Sequence, residues 1–234
     1  MRMNNETFTT CGVRVKHYRA VFGGSKYFMA DEVEVIHVDG RSLLSLKVIE
    51  GATFDPLQSA ALYRFIGATT GNTLKLIYRA SRDGPLYGDF LRCAGDTKNL
   101  VFVIRKDKYV FSAFISDGIW PPDDPTGYND YWCDVWYFSQ AGHFTKGPTK
   151  MGEGWLPVQV AGRERTADGA KVRLGGWLWL GYEGGAASDM RSCCHWIPSR
   201  VVPEDYVGVR DHGNAVFGGS EAFMADEMDV FTVA

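Results

Sequence analysis

The eleven residues from Leu74 to Gly84, LKLIYRASRDG, constrain the fold of this chain more than any other stretch. Leu74, Leu76 and Tyr78 alternate with Lys75, Ile77 and Arg79, which is the period of a strand with one face against a core. The run Ala80-Ser81-Arg82-Asp83-Gly84-Pro85 cannot extend it. Asp83 accepts bonds from its own backbone, Gly84 admits positive φ, and Pro85 fixes the φ that opens the next element. A buried strand is therefore expected to end in a tight polar corner. A short helix then follows, from about Pro85 to Cys93, with Leu86, Phe90 and Cys93 on its inward face.

Most of the remaining chain reads as strands. Arg41 to Ile49 alternates through Leu44, Leu46 and Val48. Asp55 and Pro56 then cap and open an amphipathic helix that carries Leu57, Ala61, Leu62, Phe65 and Ile66 and stops at Gly67. Leu100 to Arg105 and Tyr109 to Ile115 form a hairpin across Lys106-Asp107-Lys108. A proline-punctuated loop from Asp117 to Asp130 leads to the aromatic strand Tyr131 to Ser139. Further strands follow at Trp155 to Ala161 and at Lys171 to Tyr182, the latter interrupted by Gly175-Gly176. Gly184 to Asp205 reads as irregular. Sequential, hairpin-linked strands pair antiparallel, so the expected fold is mainly β (α+β): a two-sheet antiparallel β-sandwich flanked by short helices.

The chain also repeats itself. Ala20 to Val38 (AVFGGSKYFMADEVEVIHV) and Ala215 to Val233 (AVFGGSEAFMADEMDVFTV) agree at 13 of 19 positions, offset by 195 residues. Each copy has a Gly-Gly turn and then an alternating strand whose frame changes at Asp31-Glu32 or Asp226-Glu227, as a bulge or bend would cause. Two readings stand side by side. In one, residues 1–39 are an extra strand unit, the tail of a preceding repeat or an edge strand open to exchange with a second copy, and residues 40–234 are a complete domain. In the other, both copies are ordinary strands of one sandwich.

The stretch LIYRASRDG, followed by Phe90, Cys93 and the apolar strand LVFVIRK, resembles the opening of a TLDc domain, and the likeness can be followed from about Ser42 to Val233. Where that family has a Gly-Gly pair before Trp120, this chain has Phe111-Ser112-Ala113-Phe114. The resemblance implies a β-sandwich flanked by helices, with a final strand like DEMDVFTV. It also implies a non-enzymatic protein-interaction module that binds a vacuolar-type proton-pumping ATPase or supports oxidative-stress tolerance.

Composition narrows the remaining classes. With 25 basic against 28 acidic residues the net charge is −3, and no basic stripe is present, which argues against a nucleic-acid partner. No apolar run reaches the roughly 18 residues that cross a bilayer, and MRMNNETFTT lacks the core of a signal peptide, so a cytoplasmic location is expected. The cysteines Cys11, Cys93, Cys133, Cys193 and Cys194 show neither a disulfide framework nor CxxC spacing; reduced thiols are expected, with no metal and no cofactor.

Four groups are candidate sites. Arg79, Arg82 and Asp83 make either a binding ion cluster or a brace in which Asp83 accepts local N–H bonds under an arginine. Glu227 and Asp229, with Asp226, and their counterparts Asp31, Glu32 and Glu34, can dock on a basic partner or simply line a solvent face. The seven tryptophans, notably Trp120, Trp132, Trp136, Trp177 and Trp179, can form a sugar-stacking platform or core packing; Trp177 and Trp179 share a face by period two. Cys193, Cys194 and His195 can carry redox or metal chemistry if a base lowers a thiol pKa, but adjacent cysteines on an extended chain point to opposite faces. None of the five histidines sits in a nucleophile-elbow or HExxH context, and no catalytic residues are assigned. An enzyme or a small-ligand or carbohydrate binder built on the same sandwich, and an assembly protein linked by its repeated strand, are the alternatives.

Overall fold

A computed structural model describes residues 8–10, 13–15, 56–66, 73–185 and 188–233. The strand expected over 41–49, the Asp55 cap and the N-terminal copy of the repeat lie outside the described residues. The chain divides into two compact units, Met1–Val48 and Ile49–Ala234. In the first, β1 (Phe8–Thr10) and β2 (Val13–Val15) pair antiparallel, with Thr10 opposite Val13.

The second unit runs α1 (Pro56–Phe65), β3 (Leu74–Arg79), α2 (Ala80–Asp83), α3 (Tyr87–Ala94), β4 (Leu100–Lys106), β5 (Tyr109–Ile115), β6 (Tyr128–Ala141) and β7 (Thr149–Ala161). It continues with β8 (Val172–Leu174), β9 (Leu178–Leu180), β10 (Ser192–His195), β11 (Arg210–Asp211), β12 (Asn214–Ala215), β13 (Ala222–Met224) and β14 (Glu227–Val233). Ten of these strands form one hydrogen-bonded sheet in the order β13-β10-β9-β8-β7-β6-β5-β4-β14-β3, with every pairing antiparallel. The mainly-β sandwich expected from the hairpin pattern is thus what the chain forms, and its layers are hydrogen-bonded to one another through a folded ribbon.

That ribbon is the β6–β7 pair. β5 pairs with the C-terminal part of β6, from Val135 to Ala141, whereas β8 pairs with the C-terminal end of β7, Val158 to Val160, beside the N-terminal part of β6. Between them the register slips: Val135 faces Gly154 but Tyr137 faces Met151, so β7 carries one extra residue. Gly152 sits in this bulge at φ 53°, and a Cβ there would come within 2.4 Å of the Trp177 ring. Backbone conformation and space both demand glycine at this bend.

The two ends of the sheet also meet. β13 and β14 are separated only by Ala225 and Asp226; the Ala225 N–H donates to the carbonyl of Arg191, and the Asp226 N–H to that of Arg105. The C-terminal copy of the repeat is therefore two strands with different partners, and not one bulged strand as its alternation suggests. The frame change at Asp226-Glu227 is the step from one layer to the other.

Two apolar clusters follow from this arrangement. Tyr78, Phe90, Phe102, Ile104, Phe111, Tyr137, Leu178, Leu180 and Val230 fill the space between the layers. Leu62 and Tyr63 of α1 cover Val101, Val103, Trp136, Phe138 and Phe231 on the outer face of the other layer. β4 is buried on both sides, which is why LVFVI reads as a continuous apolar run.

Several local expectations are corrected. The helix begins at Tyr87; Leu86 is extended and 51% exposed, because the Met190 N–H donates to the Pro85 carbonyl and the Tyr87 N–H to that of Ser188. The inward face is accordingly Tyr87, Phe90 and Ala94, with Cys93 half-buried. The polar corner winds into the single helical turn α2. A register slip opposite Val230 and Phe231 sends Leu74 and Leu76 toward α1 but Tyr78 into the inter-layer core. The interrupted strand at 171–182 is the β8–β9 hairpin, turned by Gly175 and Gly176 at φ 56° and 76°. The irregular stretch 184–205 contains β10.

Candidate functional site: an ionic corner between β3 and β14

The corner after β3 is held from inside. The Tyr78 hydroxyl donates to the Gly84 carbonyl at 2.9 Å, and the Arg79 N–H donates to Asp83 Oδ2 at 2.8 Å, closing the turn around α2. Arg82 forks onto the same carboxylate, Nε at 2.9 Å and Nη2 at 2.7 Å, and that guanidinium holds the Asp83 carboxyl below its ordinary pKa. Asp83 thus braces the corner from one side while Arg82 remains half exposed.

β14 supplies the second carboxylate. Asp229 lies directly across from Arg79 and has no exposed surface. Arg79 forks onto it, Nε at 2.7 Å and Nη2 at 3.1 Å, and Arg105 Nη1 reaches its Oδ2 at 2.8 Å. The bond to Asp229 raises the Arg79 pKa further. Two residues along the strand, Glu227 Oε1 accepts the Ser81 N–H at 3.1 Å. All five residues proposed from the sequence, Arg79, Arg82, Asp83, Glu227 and Asp229, therefore converge on one corner, although 144 or more positions separate the two acids of β14 from Asp83. Asp89 and Arg92 of α3 extend the cluster through a 3.3 Å pair, and the Arg92 Nη2 donates to the Asp83 carbonyl.

Arg105 reads from the sequence only as the end of a strand and not as a site residue. Its signal was the period-two row Val101, Val103, Arg105, which puts it on the face of Phe231 and Asp229. Asp211, His212 and Glu221 present ligand atoms within 4.8 Å of one another at the surface, a grouping that no spacing motif announces.

The tryptophans do not make one platform. Trp120 donates to Asp117 and has Lys98 5.4 Å over its ring. Trp177 turns inward against Tyr137, whereas Trp179 faces outward beneath Arg173, so the face shared by period two is lost at the glycine turn. Cys193, Cys194 and His195 lie on β10, all buried. Cys193 points into the inter-layer core and Cys194 to the opposite face. Burial pushes the Cys194 thiol up to about 12 and Cys193 beyond that, and it pulls His195 down to about 3.

These features define a mainly-β sandwich domain with flanking helices and a braced ionic corner. Residues 50–148 match the family model of the TLDc domain, so the likeness carried by LIYRASRDG is a family match over a segment that includes α1, the corner and the strands through β6. No curated protein matches the chain. No helix among the described residues is long and apolar enough to cross a membrane.

Proposed function

We propose that the chain is a non-enzymatic protein-interaction module of TLDc type that engages a subunit of a vacuolar-type proton-pumping ATPase through its ionic corner. The observation that carries this reading is the buried Asp229, which fixes Arg79 and Arg105 and so holds the surrounding surface rigid. Arg82 and Arg92 stand outward from it with side chains 50% and 65% exposed. Charged groups already held in place lose little freedom on docking, which favours affinity and register. A contribution to oxidative-stress tolerance would then run through the partner, since thiols raised to about 12 or above hold almost no thiolate at neutral pH. The test is capture of purified ATPase subunits by the full chain, with and without ATP. The wild-type chain is expected to retain a subunit and an Arg82→Ala/Arg92→Ala variant to lose roughly tenfold in affinity; no association in either nucleotide condition overturns the reading.

The repeat favours a second reading, an assembly protein linked through its repeated strand. The buried residues of the C-terminal copy, Gly218 aside, are Ala215, Val216, Phe217, Ala225, Met228, Asp229, Val230 and Phe231. The aligned residues of the N-terminal copy are Ala20, Val21, Phe22, Ala30, Val33, Glu34, Val35 and Ile36, apolar for apolar and carboxylate for carboxylate. Each chain thus carries two sequences suited to one slot, and the spare can fill the slot of a second copy. Solution mass is expected to exceed that of a monomer and to fall when residues 1–39 are removed. An unchanged mass dismisses strand exchange.

A further inference from the structure

On the outward face of the β6–β7 ribbon two indoles stand more than half exposed, Trp132 at 54% and Trp155 at 62%. Cys133 and Val135 point into the core, so Trp132 and Asp134 share the opposite face. The register sets Trp155 directly across from Asp134 and Pro157 across from Trp132. The indoles are therefore diagonal neighbours, whose Cα atoms lie about 7–8 Å apart in such a pair, with the Asp134 carboxylate beside both. Asp134 is exposed, and among the described residues no cation pairs with it.

The same protein shows three times what such a grouping holds. Arg173 lies 4.5 Å over the Trp179 ring and pairs with Asp168. Lys150 lies 4.9 Å over Trp136 and pairs with Glu153 at 2.9 Å. Lys98 lies 5.4 Å over Trp120 and pairs with Asp117 at 3.0 Å. In each, one cation satisfies an indole face and a carboxylate together. The Trp132–Asp134–Trp155 face has the rings and the carboxylate, and among the described residues no cation.

We infer that this face is a docking surface for a protein segment presenting an arginine, whose guanidinium stacks on an exposed indole and forks onto Asp134. Arginine fits better than lysine because its planar, weakly hydrated head can stack and fork at once. Tryptophan and arginine are also among the residues enriched at the hot spots of protein interfaces. The surface is built from strands other than those of the ionic corner and does not depend on the ATPase reading.

The experiment uses the full chain and a fluorescein-labelled nona-arginine peptide, followed by anisotropy at about 150 mM salt so that diffuse attraction is screened. Saturable binding is expected, tighter than for nona-lysine. Trp155→Ala and Asp134→Asn should each weaken it about tenfold. Glu204→Gln removes the same charge at an exposed position off this ribbon and should leave binding within about twofold. Failure to bind overturns the inference, as does an equal loss in Glu204→Gln, which would mark generic charge attraction. Binding of cellohexaose at Trp155 with no nona-arginine binding would also overturn it, because the face would then be a carbohydrate site.

Discussion

Asp229 shows how much one residue can hold. A carboxylate with no exposed surface costs several kcal/mol to desolvate, and the two guanidinium groups on it offset that cost. Removing the carboxylate common to both breaks two buried ion pairs at once, so Asp229→Ala should destabilise the fold by about 3–5 kcal/mol. Urea denaturation measures this; a loss below about 1 kcal/mol would mean that Asp229 is not what holds Arg79 and Arg105 in place. The Arg82–Asp83 pair belongs to the other regime. With the Arg82 side chain half exposed it is worth no more than about 1 kcal/mol, so Arg82→Ala can report on binding without unfolding the domain. The N-terminal copy of the repeat has Glu34 at the position of Asp229, which keeps the charge that this slot needs but adds a methylene.

At the scale of elements, what depends on local pattern was legible in the sequence, and what depends on pairing was not. The β4–β5 hairpin follows from its alternation and its Lys-Asp-Lys turn, where Asp107 takes a φ of 51°. The strand at 74–79 was equally plain, yet its face changes midway because of a register slip against β14, whose sequence lies some 150 residues away. Periodicity cannot see a bulge that a distant partner imposes. The start of α3 moved for a related reason: Pro85 and Tyr87 are bonded to Met190 and Ser188, which overrides the helical opening that proline favours. The candidate corner was legible by residue type, since Arg79, Arg82, Asp83, Glu227 and Asp229 were all named. What could not be read was that the two stretches are neighbours, because β14 inserts between β4 and β3. Trp132 was among the candidate aromatics, but which indoles stand exposed could not be read, for the opposite reason. Tyr131 to Ser139 alternates aromatic residues on both faces, so the pattern does not say which ring is core; Trp136 is buried and Trp132 is not.

The second unit is closed by a stack of rings at the point where the C-terminal copy of the repeat packs into its core. Phe217 is sandwiched between His143 at 4.3 Å and His195 at 4.8 Å, with Tyr109 stacked on the far side of His143 at 4.7 Å. His143 Nε2 is bonded to the Phe217 carbonyl and its Nδ1 to the Ser139 hydroxyl, so both ring nitrogens are committed in the neutral form. Burial lowers His143 to about 4 and His195 to about 3, the latter helped by the neighbouring His143. Both folded values lie below the ordinary 6.5, so the unfolded chain takes up protons first as the solution is acidified. The stability these rings contribute is therefore complete above about pH 6.5 and is lost as pH falls toward 4, at up to about 1.4 kcal/mol per pH unit for each histidine. The lowered Asp83 and Asp226 weigh mainly near and below their normal value of 3.8. The urea midpoint should thus fall steeply between pH 6.5 and 4.5. In a His143→Gln/His195→Phe variant that slope should flatten even if the midpoint at pH 7.5 is lower. An unchanged slope in the variant would place the acid sensitivity outside this stack, and the packing of the repeat segment would then not be what acid undoes.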